Sequence, residues 1–176
     1  MEPEPRPAHQ EKSVNRLEPM EAKKIRDARS RISHTYETVG SSEEDLEKLT
    51  TEEKNVFYEA ELTAAQADLK SLKEFQDFYV KTLNYLPADD KNSLLAFEEN
   101  LKHGLLDTQR KWIVSYPEGD LQEMKDGVDE EIETICKNPS QIRARLFDKI
   151  EAYTFSVDSI SRRIETIEAS LKGLRG

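Results

Sequence analysis

The chain has 176 residues, of which 36% are apolar and 35% charged, and a formal charge of −10. That is one-domain length and polar, yet not polar enough to preclude a core. No run approaches the roughly 18 apolar residues of a membrane span, the opening MEPEPRPAHQEKS has no secretory pattern, and the single cysteine, Cys136, excludes an internal disulfide.

A lone thiol and the lack of a leader pattern lead to the expectation of an intracellular protein, cytoplasmic or nuclear. Between residues 35 and 138 acidic side chains outnumber basic ones by more than two to one, while both ends are faintly basic. This distribution opposes broad nucleic-acid contact, which needs a concentrated cationic face. It suits solvated helix backs or a partner with a basic surface.

Residues 1–19 carry Pro3, Pro5, Pro7 and Pro19 and almost nothing apolar, which predicts a disordered tail. From Met20, the steps Ile25, Ala28, Ile32, Tyr36 and Val39 predict an amphipathic helix over 20–40 that ends at Gly40. Its stretch KKIRDARSR (Lys23 to Arg31) reads as a solvated basic face or as a docking patch for an acidic surface such as the chain's own middle. Ser30 and Ser33 beside these arginines are candidates for phosphorylation, which would neutralise the basic stripe.

Thr50 and Glu53 have capping-box spacing and open a long helix to about Leu86. Its seam of Tyr58, Leu62, Ala65, Leu69, Leu72, Gln76, Tyr79, Leu83 and Leu86 alternates steps of four and three, the signature of left-handed packing. Pro87 stops it. Asp89 or Asp90 then caps a helix carrying Leu94, Phe97, Leu101, Leu105 and Trp112, which ends at SYPEG. Asp120 opens a shorter helix with Leu121, Met124, Val128, Ile132 and Ile135. KNPS breaks the chain, and Ser140 is the expected cap of a final helix whose seam is Leu146, Ile150, Tyr153, Val157, Ile160, Ile164, Ile167, Leu171 and Leu174. At 1.5 Å per residue that helix is about 50 Å long.

The fold class predicted is therefore all-α. It is an antiparallel bundle of about four helices (51–86, 89–115, 120–137 and 140–174) within 43–176, with the 20–40 helix added. The last helix is expected to overhang its neighbours. Its end (Ile160, Ile164, Ile167, Leu171, Leu174) would then seek another helical protein or a second copy.

Catalytic and metal-binding chemistry is not expected. His9, His34 and His103 are far apart, no His/Cys pair has ligand spacing, and no phosphate-binding or nucleophile motif occurs. DGVDEEIE (Asp126 to Glu133) reads as a solvated helix face rather than a calcium loop. Cys136 reads as apolar filler. The aromatics Tyr58, Phe75, Phe78, Tyr79, Phe97, Trp112, Tyr153 and Phe155 read as core, with Trp112 able to show a ring face to a partner. No cofactor and no metal are expected. The function expected is that of a non-enzymatic interaction subunit or scaffold of a multiprotein complex.

One segment also resembles a known family. RARLFDKIEAYTFSVDSI (Arg143 to Ile160) is similar to the final helix of the BAG domain, and DEEIETI (Asp129 to Ile135) resembles the acidic end of that family's middle helix. The resemblance implies a co-chaperone that binds the Hsp70 ATPase domain and promotes nucleotide exchange. Arg143, Lys149 and Asp158, with Glu130 and Glu131, would then make the polar contacts.

Overall fold

A computed structural model describes residues 16–176; of the tail expected over 1–19, residues 1–15 lie outside the described residues. Among them the chain is all-helical, with six α-helices and no strand. These are α1 (Pro19–Val39), α2 (Glu43–Glu47), α3 (Thr51–Thr82), α4 (Lys91–Ile113), α5 (Leu121–Cys136) and α6 (Ile142–Arg175). Short 3₁₀ turns follow α3 (Leu83–Tyr85) and precede α6 (Pro139–Gln141).

Local chemistry sets most of the boundaries. Ser42 with Asp45, and Thr50 with Glu53, form reciprocal capping boxes at α2 and α3. Asp90 accepts from the Ser93 N–H, and Asp120 from those of Gln122 and Glu123. The α3 helix stops at Thr82, four residues before the expected Leu86. Pro87 requires an extended residue before it, and Leu86 sits at ψ 141. Gly40 closes α1 at φ 102, a left-handed conformation that calls for glycine, and its N–H donates to the Tyr36 carbonyl. Ser140 does not cap α6. Its N–H and hydroxyl instead both donate to Asn138, which opens the 3₁₀ turn.

The α3 helix is central because it buries two faces. One is the expected seam, which α6 covers. Gln76 donates to Thr154 across that contact at 2.7 Å, Phe75 and Tyr79 stack on Tyr153, Glu61 pairs with Arg163, and Glu59 pairs with Arg175. Residue numbers thus rise along one helix as they fall along the other. The second face has helical spacing through Phe57, Ala60, Ala64 and Ala67, all buried. Phe57 packs edge-on to Tyr36 of α1, and Ala67 joins Ala22 and Ile25 of α1. Alanine opposite alanine lets two axes approach closely, since interaxial distance follows side-chain size.

α4 covers the C-terminal half of α3. Gly104 permits the close approach there: a Cβ would lie 2.2 Å from the Phe78 ring. The N-terminus of α1 meets the C-terminus of α4 in a cluster of Leu17, Ala22, Ile25, Ala67 and Trp112. Leu17 is only 8% exposed, so the ordered chain reaches into the segment expected to be tail. Trp112 is also buried. Its indole N–H donates to Glu74 at 2.6 Å, which removes the ring face expected to be free. The largest cluster joins Tyr79, Phe97, Leu101, Leu105, Val128, Ile135, Ile142 and Leu146 from α3, α4, α5 and α6.

Candidate interaction surface

The expected overhang does not exist. Ile164, Ile167 and Leu171 are buried with Ala65, against Tyr58, Leu62 and Ile160, and Leu174 is half-buried. The physical reason is length. α3 and α6 have 32 and 34 residues, and their opposed course lays the end of α6 along the start of α3. The seam proposed for a partner therefore closes within the chain.

The residues carried by the BAG resemblance divide. Arg143, Glu130 and Asp158 are exposed, with the Arg143 guanidinium 5.5 Å from the centroid of the Phe147 ring. Lys149 and Glu131, by contrast, pair with each other across the α5–α6 contact. The basic face of α1 is likewise partly used internally. Arg29 pairs with Asp68 at 3.0 Å and lies 4.0 Å over the Tyr116 ring, and Arg26 donates to the Val114 carbonyl at 2.7 Å. Ser30 and Ser33 are exposed and, with Tyr116 and Gly119, line a cleft of about 720 Å³ between α1 and the α4–α5 turn.

A different surface is left open. α5 has only 16 residues and reaches α6 near its start, through Glu131–Lys149, so the middle of α6 has no α5 over it. Two clefts result, of about 460 and 400 Å³, which share Ser71 of α3 and Tyr116 of the turn. The first lies over Phe75, Trp112, Met124 and Tyr153. The second lies over Leu72, Phe155 and Ile160. Tyr116, which the two share, is 46% exposed, and Phe155 in the second is 71% exposed. Phe155 was expected in the core and Leu121 on the buried face of α5. Both face solvent.

The polar chemistry of this region is one-sided. The formal charges lining the two clefts are Asp68, Asp120 and Glu123. Next along α6, Arg163 donates to Glu61 at 2.9 Å while the Tyr36 hydroxyl donates to the other oxygen of that carboxylate at 3.1 Å. Glu61 is only 8% exposed, and its two donors join α1 and α6 to α3 around it. Burial raises the Tyr36 hydroxyl above its ordinary value, and the Glu61 charge adds to the effect. Burial also raises Tyr116 and Tyr153, the latter to about 12. Cys136, pushed up to about 11 by burial and by Glu98, is held as the thiol. Among the described residues no group of His, Cys, Asp and Glu is arranged to hold a metal ion, and no helix is long and apolar enough to cross a membrane.

No protein-family model, curated protein or solved structure matches this chain.

Proposed function

We propose that this chain is an antiparallel helical bundle that acts as a non-enzymatic protein-binding subunit of a larger complex. One observation carries the reading. The heptad seams are consumed inside the chain, yet Phe155 and Tyr116 stay exposed in the clefts between α3, α5 and α6. Large apolar side chains grouped at a concave surface favour a protein partner. The test is purification of the tagged full chain from its native source, followed by reconstitution from purified components. A partner that re-forms a complex of fixed stoichiometry supports the proposal. A chain that remains alone at native levels and in reconstitution contradicts it.

The co-chaperone reading is favoured by the exposure of Arg143, Glu130 and Asp158, but it requires Lys149 to leave Glu131. Its test is nucleotide release from the Hsp70 ATPase domain. Acceleration that is lost with Arg143→Ala and Asp158→Ala supports it, and an unchanged rate with the unmodified chain removes it.

A further inference from the structure

We infer that the paired clefts between α3, α5 and α6 dock a basic amphipathic helix from a partner protein. The inference rests on the protein-binding reading above and adds where the partner sits and what it is made of.

Gly127 is the first observation. It lies inside α5, where glycine costs about 1 kcal/mol relative to alanine. Glycine inside a helix commonly marks a close neighbour. At Gly104 the Phe78 ring is that neighbour, but a Cβ on Gly127 would meet nothing within 4 Å. No packing within the chain uses the missing side chain. What lies over Gly127 is the first cleft, and the absent Cβ keeps its wall low. Ser71 of α3 lines both clefts, and Ser156 and Ser159 of α6 line the second. Small residues on both walls with aromatic residues between them leave a trough that another helix can enter closely.

Charge supplies the second observation and selects the occupant. Asp68, Asp120 and Glu123 line the clefts without a lining cation. Arg29, over the Tyr116 ring, pairs with Asp68, and Lys111, over the Trp112 ring, pairs with Glu74, so the unpaired charge among the described residues is that of Asp120 and Glu123. Glu123 makes no ion pair among the described residues. An acidic rim around an apolar floor complements a helix with apolar anchors flanked by Lys or Arg and repels an acidic one. A second copy of this chain does not meet that description. The outward side of α1 is basic, but its large exposed apolar residue is Met20 alone.

The probe is a fluorescent amphipathic peptide of leucine and lysine, titrated against the full chain by polarisation and mapped by amide chemical shifts. Its controls are a leucine–glutamate peptide of the same pattern and a lysine-only peptide. The inference expects binding of the first peptide alone, with shifts at Ser71, Tyr116, Gly127, Phe155 and Ser159, weakening as salt rises. Gly127→Leu fills the trough while improving helix propensity, so it should lower affinity at least tenfold without lowering the unfolding midpoint. Phe155→Ala, at an exposed position, should do the same more weakly, and Glu123→Lys should weaken binding chiefly at low salt. Equal binding of the acidic peptide, no binding, or shifts confined to another face would overturn the inference. A native complex that forms normally with Gly127→Leu would also overturn it while leaving the protein-binding reading intact. A chain that forms no complex at all would remove that reading first.

Discussion

Truncating Ile167 to alanine separates a seam closed within the chain from one shared between chains. Ile167 is 4% exposed and packs with Ala65, Ile164 and Leu171, beside Tyr58 and Leu62. Removing its outer carbons loses their transfer free energy and leaves a void, which costs about 2–5 kcal/mol at buried isoleucines. Here α6 rests on α3 at an end that α4 and α5 do not reach, so the void can partly collapse. A loss of about 2–3 kcal/mol is expected. At this chain length each kcal/mol moves the melting midpoint by about 2–4 °C, giving a fall of about 4–12 °C. Leu146, fully buried among side chains of four helices, should cost more on truncation, about 4 kcal/mol. The assay is thermal and urea unfolding followed by far-UV circular dichroism at two widely separated protein concentrations. Midpoints independent of concentration, with both variants shifted in that order, agree with an internal seam. A midpoint that rises with concentration by mass action, or an Ile167→Ala chain that loses mass rather than stability, refutes it.

Further predictions follow from other contacts. Arg163→Ala strips the buried Glu61 carboxylate of its charged partner and should cost about 1–2 kcal/mol in the same assay, a figure reduced because Arg163 is itself half exposed. Gly104→Ala should destabilise by about 1–3 kcal/mol by driving into Phe78, whereas Gly127→Ala should stabilise by about 1 kcal/mol. Stability should fall as pH rises from about 9 towards 12. Cys136 and Tyr153 have folded values raised from 9.0 to about 11 and from 10.0 to about 12, and Tyr79 is raised further. Groups raised in this way stabilise fully below their unfolded values and lose that contribution through the window above them; a flat unfolding midpoint from neutral pH to pH 11 would contradict it. Phosphate on Ser30 or Ser33 would compete with Asp68 for Arg29. Phosphopeptide mapping that finds both serines unmodified removes that possibility.

The sequence carried the helices well because apolar spacing and caps are local. Thr50 with Glu53, Asp90, Pro87 and Gly40 all act where their chemistry indicates. What Ile164, Ile167 and Leu171 face was not legible, since a heptad stripe reads the same whether its partner is the chain itself or another molecule. The second face of α3 is not legible because Ala60, Ala64 and Ala67 carry little hydropathy, and their role emerges only when α1 lies over them. The clefts depend on where α5 ends relative to α6, a tertiary relation without a sequence motif. Gly127 was the one local hint, a glycine within an otherwise helical pattern. The pairing of Lys149 with Glu131 was equally hidden, because it joins two helices across a turn.

Amide hydrogen exchange along α6 tests most directly whether its seam closes inside the molecule. Strong protection from Ile160 to Leu171, equal at low and high protein concentration and matching that of the middle of α3, is the expected result. Rapid exchange in that stretch for the isolated chain, slowed only on concentration or on adding a partner, would contradict it.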